Sequence, residues 1–205
     1  MKRLIEINSY GNNSKALEEV AEILAKDTVI AIPTDSGYAL ACKMKSKKGI
    51  DKIKKIRDLD GSHNCTLICK NLSEISEYAK IDNNDYRFLK RYTPGSFTFI
   101  LNATKKVSSL LATKSKNTVG IRVSDHYVPS AICAEIGEPL VVSSFILPNS
   151  EHVITDCAEL GNEVMNYIDL IIESEYCGFQ SRTVVNMLDI PYDITRQGSG
   201  ILEGS

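Results

Sequence analysis

Thr28-Val29-Ile30-Ala31-Ile32-Pro33-Thr34-Asp35-Ser36-Gly37-Tyr38-Ala39-Leu40-Ala41-Cys42-Lys43 reads as strand, polar turn and strand. The β-branched apolar run over 28–32 suits a buried pleated segment. Pro33 ends it, because proline has no N–H to give a ladder. Ala39 to Lys43 resumes as the next strand. Helical spacing flanks the pair on both sides. Ser14 is a candidate N-cap ahead of Leu17, Val20, Ala21 and Leu24, and Ile50, Ile53 and Ile56 stand three apart within the basic stretch Lys47 to Arg57.

The alternation continues along the chain. Further strands are expected over 65–69, 96–101, 118–123, 139–146, 170–173 and 183–188. Helices are expected over 72–79, 84–92, 128–136 and 156–167, with Gly137 as the residue that closes the third of these. Strands interleaved with helices predict an α/β fold with a twisted mixed sheet flanked by helices. At 205 residues the chain suits one domain over 1–205, with a core of about 14–198 and a loose tail from Gly198 onward.

Hydrophobic residues make up 43% of the chain and charged residues 24%, enough for a core and a soluble surface. The net charge of -2 means that any nucleic-acid contact must come from a local patch. The N-terminus turns polar at Asn8, and no apolar run approaches the roughly 20 residues of a membrane helix. A cytoplasmic protein is expected. The six cysteines include no CxxC pair, so reduced thiols are expected rather than a zinc site. His63, His126 and His152 show no metal spacing and are expected at the surface.

Four segments carry groups suited to ligand chemistry. Thr34, Asp35, Ser36 and Gly37 are a polar strand-to-strand turn or contacts to a small polar ligand. Lys54, Lys55 and Arg57 either stabilise a helix C-terminus or meet phosphates. Lys55 and Arg57 are two apart, so the helix must unwind near Arg57 if both address one ligand. Arg122, inside a β-branched strand, either snorkels to solvent or meets a fixed anion. Val141 to Phe145 brings Ser143 and Ser144 to a strand end, either an ordinary edge or the place where α/β sheets bind ligands. The chain has no P-loop, no GxGxxG after a strand and no GxSxG elbow.

In order, these segments resemble the YrdC/YciO family, whose best-known members are L-threonylcarbamoyladenylate synthases. The likeness runs from about Thr28 to Gly198. It rests on Pro33-Thr34-Asp35 followed by Tyr38 and Leu40, on Lys55-Ile56-Arg57, and on Pro94-Gly95-Ser96-Phe97-Thr98. It rests further on Thr118 to Arg122, Thr183-Val184-Val185, and Arg196-Gln197-Gly198. The resemblance implies that Thr34 and Arg122 face threonine, with Arg122 on its carboxylate. Lys55, Arg57, Thr118 and Arg196 would face ATP and its phosphates. Ser144 would contribute to the shared pocket and Thr183 would line it.

Several positions depart from the family pattern. The asparagine of its S-x-N element falls on Ile146. The usual proline after Arg57 is Asp58, and the serine before the TVV strand is Arg182. The family's histidine has no clear match, Cys69 being nearest. These departures look like the YciO branch. Arg182 either supplies a new cation or fills the threonine pocket.

By resemblance, the substrates would be L-threonine, bicarbonate or CO2, and ATP, with Mg2+ on the phosphates. The product would feed the threonylcarbamoyl modification of tRNA adenosine. The competing expectation is a protein that binds nucleotide, duplex RNA or tRNA without efficient synthesis. The resemblance implies a concave basic face for it, which Lys52, Lys54, Lys55, Arg57, Lys105 and Lys106 would supply.

Overall fold

The structure, a computed structural model, describes residues 3–58, 65–107, 111 and 117–203. Its strands are β1 (Arg3–Glu6), β2 (Ile30–Ile32), β3 (Ala39–Lys43), β4 (Thr66–Ile68) and β5 (Phe97–Asn102), then β6 (Thr118–Arg122), β7 (Leu140–Ser144), β8 (Leu170–Glu173), β9 (Thr183–Asn186) and β10 (Asp193–Arg196). Among the described residues they form one mixed sheet in the order β1-β8-β2-β3-β7-β4-β6-β5-β9-β10. The helices are α1 (Ser14–Leu24), α2 (Lys47–Arg57), α3 (Leu72–Tyr78), α4 (Asn83–Tyr92), α5 (Tyr127–Ile136) and α6 (Asn162–Met165). The α/β fold with a mixed sheet is as the alternation predicts.

Period-two patterning sorts the side chains into two cores. On β5, Phe97, Phe99 and Leu101 enter one core together with Ile50, Ile53 and Ile56 of α2 and Leu89 of α4. Val20, Ile23 and Leu24 of α1 and Val128, Ile132 and Cys133 of α5 pack on the other face, against residues of β1, β2, β3, β7 and β8. That second face continues past these helices. Val142 on β7 belongs to the second core and stands opposite Thr66, which stands opposite Gly120. Gly120 is in turn opposite Ile100, and Ile100 is opposite Asn186. Directly opposed residues share a face. Five strands therefore lay one row of mostly short side chains on a face that α1 and α5 leave open.

The structure differs from the sequence expectations in several places. Strands β1 and β10 at the two edges are additional. Each is four residues long and mostly exposed, with a pattern too short to register as periodic. The helix expected over 156–167 is broken. A 3-10 turn at Cys157–Glu159 is followed by Gly161, which caps the four-residue α6. The tail is not loose as far as Glu203. The Gly200 carbonyl accepts from Thr183 Oγ1 at 2.6 Å, and Glu203 N–H donates to Tyr92 Oη at 3.0 Å. His126 is buried rather than at the surface. Its ring caps α5 by accepting from Val128 N–H at 3.2 Å, and Nε2 lies 3.0 Å from the Tyr176 carbonyl. His152 is exposed as expected, and His63 lies outside the described residues.

Local capping sets α4 beneath the aromatic cluster of β5. Asp82 Oδ1 accepts from Asn84 and Asp85 N–H, while Asp85 Oδ2 accepts from Asp82 N–H, a reciprocal capping box. Asp82→Ala is expected to lower stability by about 1 kcal/mol, read by urea unfolding. An unchanged midpoint would show that α4 does not depend on this cap.

Candidate active site

The open part of the sheet is the floor of a cleft of about 500 Å³. The row from Val142 through Thr66, Gly120 and Ile100 to Asn186 lies along it, with Thr98, Thr118 and Val184 alongside. Gly120 keeps the centre flat. Three guanidinium groups line the cleft, from Arg57, Arg182 and Arg196, and no carboxylate is among the described lining residues. One buried hydroxyl on the floor, Thr98 Oγ1, has no hydrogen-bond partner. A buried polar group without a partner costs about 1–3 kcal/mol, so the floor is poised for a polar ligand.

Each cation is set in place by the fold. Arg57 ends α2, where Asp58 turns the chain with φ 50°. Its Nη1 donates to the Ile146 carbonyl at 2.6 Å and its Nε to Ser143 Oγ at 3.4 Å. Partial burial pulls its pKa below the ordinary arginine value, yet it remains a cation at neutral pH. Arg196 on β10 is opposite Val184, and its Nη2 donates to the Arg182 carbonyl at 3.2 Å. Arg182 precedes β9. Its Nη1 donates to Ser36 Oγ and its Nη2 to Ser144 Oγ, each at 3.1 Å.

Behind this wall stands a buried ion pair. Arg122 is fully buried on β6, and its Nη2 donates to Asp35 Oδ1. The hydroxyl of Ser124 donates to the same oxygen. Arg122 also reaches Ser36 Oγ at 3.4 Å through Nη1. Of the alternatives the sequence left open, Arg122 takes the fixed anion, and that anion is the chain's own Asp35. The turn carrying Asp35 is held from above by Gly178, whose N–H donates to the Thr34 carbonyl at 2.8 Å. A Cβ at Gly178 would lie 2.0 Å from the Asp35 carbonyl oxygen, so only glycine fits that approach.

The residues singled out in the sequence separate into two groups. Arg57, Thr118, Ser144 and Arg196 line the cleft. Thr34, Arg122, Thr183 and Lys55 are not among its lining residues. Thr34 Oγ1 donates to the Gly37 carbonyl at 2.6 Å within the turn. Thr183 Oγ1 is committed to Gly200 and accepts from Gly198 N–H at 2.9 Å. The helix does not unwind to bring Lys55 beside Arg57. Lys55 Nζ instead sits 4.9 Å from the centre of the Tyr167 ring.

Sequence reasoning missed Thr66, Thr98 and Asn186 on the floor. Thr98, a hydroxyl between two phenylalanines on a strand, carried the available signal. Cys65 also lines the cleft, but burial holds its thiol above the ordinary pKa against the pull of Lys54 and Arg57. It therefore offers no thiolate nucleophile at neutral pH.

The Sua5/YciO/YrdC family model, described as telomere recombination, matches residues 22–198. The chain belongs to that family. The crystal structure of E. coli YciO superposes with a TM-score of 0.92 at 36% identity, covering 99% of this chain and 98% of that one. Threonylcarbamoyl-AMP synthase of Idiomarina loihiensis is 29% identical over 175 residues, 83% of this chain and 93% of that protein. P. abyssi Sua5, solved in complex with L-threonine, shares the fold with a TM-score of 0.84 at 18% identity, over 95% of this chain and 57% of that one. Among the described residues, no helix of this family member is long and apolar enough to cross a membrane.

Proposed function

We propose that the chain is a threonylcarbamoyl-AMP synthase-type enzyme that binds ATP in the cleft and works slowly. The observation that carries this reading is the convergence of Arg57, Arg182 and Arg196 on a cleft of nucleotide size whose floor is short-chained, with no carboxylate among the described lining residues. Guanidinium groups suit phosphate oxygens through paired N–H donors. Similarity to the Idiomarina synthase, and to a Sua5 complexed with L-threonine, supports the substrate set.

In this reading, the threonine amine takes up CO2, derived from bicarbonate with loss of water, to form a carbamate. A carbamate oxygen attacks the α-phosphorus of ATP. The P–O bond to the leaving pyrophosphate breaks, and threonylcarbamoyl-AMP and pyrophosphate result. The chain's part is to position the substrates and hold charge. Arg57 and Arg196 take phosphate oxygens, Thr118 and Ser144 contribute hydroxyls, and no side chain becomes covalently attached. The lining offers hydroxyls and the Asn186 carboxamide, so Mg2+ would arrive on the triphosphate rather than in a carboxylate cage.

The slow rate follows from Ile146, whose apolar side chain lines the cleft and can donate nothing to the substrate. Mass spectrometry after incubation with ATP, bicarbonate and L-threonine should detect threonylcarbamoyl-AMP. Ile146→Asn should raise its rate of formation about tenfold, the worth of one hydrogen bond made in the transition state. Absence of product from both proteins, although both bind ATP, would overturn the synthase reading.

Duplex RNA or tRNA binding has weaker support. Lys52 is paired with Asp169 at 3.1 Å and Lys106 with Glu77 at 2.8 Å, which removes part of the basic surface expected for it.

A further inference from the structure

The segment 174–182 leads from β8 into β9 and ends on Arg182, which lines the cleft. The Arg182 carbonyl accepts from Arg196 Nη2 at 3.2 Å, so the end of this segment sets two of the cleft's guanidinium groups. At its middle, Gly178 N–H donates to the Thr34 carbonyl at 2.8 Å. At its start, Glu175 accepts from Ser9 N–H at 3.2 Å and Tyr176 Oη donates to the Asp125 carbonyl at 3.4 Å. Both of those bonds are exposed and exchange readily for bonds to water. The bond between His126 Nε2 and the Tyr176 carbonyl, at 3.0 Å, is shielded, because His126 is only 1% exposed.

Both nitrogens of His126 are committed. Nδ1 accepts from Val128 N–H at 3.2 Å, so the proton of the neutral ring is on Nε2 and is donated to the Tyr176 carbonyl. The two rings also pack, with centroids 4.4 Å apart. A second proton can go only to Nδ1. It would face Val128 N–H, donor against donor, and would place a cation at the N-terminus of α5, where the helix dipole is already positive. The charged ring has to turn away from that position, and turning withdraws Nε2 from Tyr176. One proton thus undoes both bonds. Burial, the largest influence, and Arg122 oppose the charged ring, while the Tyr176 carbonyl, Asp35 and Glu175 favour it. The net result is a pKa below the ordinary histidine value. Asp125 and Lys70 line the shallow groove beside the ring.

We infer that His126 is a positioning residue of this site: its neutral ring ties the segment 174–182 to the head of α5, and a proton taken up by the ring releases that segment, loosening Arg182 and Arg196. The neutral form belongs to the native arrangement, so the tie is complete above the ordinary histidine value of about 6.5 and is lost as pH falls below it. The effect on ATP rests on the nucleotide reading of the cleft, whereas release of the segment does not.

Two uncharged replacements separate the tie from the helix cap. His126→Gln can reach the Tyr176 carbonyl with its amide nitrogen but no longer caps α5. His126→Asn can cap α5 with its amide oxygen but falls short of Tyr176. Amide exchange at Gly178, measured by NMR on the full chain and corrected for the intrinsic rate, reports the segment. Calorimetry with ATP reports the cleft, and dividing each affinity by that of the wild type at the same pH cancels the titration of ATP itself. Wild-type Gly178 protection should fall about tenfold between about pH 7 and about pH 5. His126→Gln should stay protected at both and bind ATP within about threefold of the wild type at neutral pH. His126→Asn should melt above His126→Gln, yet show low protection at both pH values and bind ATP about 3- to 10-fold more weakly, the worth of one hydrogen bond. The inference is overturned if His126→Asn keeps wild-type protection and ATP affinity at neutral pH, for the histidine is then only a cap. It is equally overturned if wild-type protection does not change on acidification. Should His126→Gln fail to fold, the wild-type pH profile and His126→Asn decide the matter. Failure of ATP to bind the wild type would remove the nucleotide reading, and Gly178 exchange would still decide the tie.

Discussion

Asp35→Asn is expected to lower the free energy of unfolding by about 3–5 kcal/mol, the usual cost of removing one partner from a buried ion pair. The side chain of Asp35 is 9% exposed and that of Arg122 is 0% exposed, so water cannot replace the lost charge. The substitution preserves shape and leaves an oxygen able to accept from Ser124 and Arg122, so the loss is chiefly of charge. The same carboxylate also stabilises Arg182, which shares the Ser36 hydroxyl with Arg122. For a chain of this length, the loss should appear as a fall in melting temperature of roughly 6–20 °C. Adding Arg122→Met to Asp35→Asn should recover part of it, since a buried cation is then removed along with its anion. A single variant that melts within about 2 °C of the wild type would show that this pair does not hold the wall behind the cleft.

The second large effect is on ATP. Arg57→Ala should raise the dissociation constant for ATP about 10- to 150-fold, corresponding to the 1.5–3 kcal/mol of a hydrogen bond to a charged group. Arg57 is oriented in advance by the Ile146 carbonyl and Ser143 Oγ, so little side-chain entropy remains to be lost when phosphate binds. Arg57→Lys should recover only part of the affinity, because a single ammonium cannot hold the carbonyl and a phosphate in the same planar geometry. Calorimetry with both variants is the check. Equal affinities for wild type and Arg57→Ala would remove Arg57 from the nucleotide site and leave Arg196 and Thr118 to be tested in its place.

Much of this protein was legible in consecutive residues. Ile50, Ile53 and Ile56 face the core from α2 because three-residue spacing puts them on one side of any α-helix. Phe97, Phe99 and Leu101 are buried because alternate residues of any strand share a face. The ordered motifs from Pro33 to Gly198 placed the chain in its family, and four of the eight residues they marked line the cleft.

What the sequence could not show is non-local. Edge strands β1 and β10 bury too little to leave a pattern and exist through their partners β8 and β9. The tail beyond Gly198 looked loose because its anchors, Thr183 and Tyr92, lie far away along the chain. The floor of the cleft joins residues of β7, β4, β6, β5 and β9 in one row, and that row depends on inter-strand register. Whether Arg122 meets a ligand or Asp35, and how Arg182 is held, turned on groups far apart in sequence: Asp35 is 87 positions from Arg122, and Ser36 and Ser144 are 146 and 38 positions from Arg182. Backbone sterics and side-chain spacing act within a few residues, so the sequence by itself determined the elements and their buried faces. Only the packed sheet decided which guanidinium is paired with a carboxylate inside the protein and which rests on seryl hydroxyls at the cleft, because burial and pairing of charge exist only once distant strands are in register.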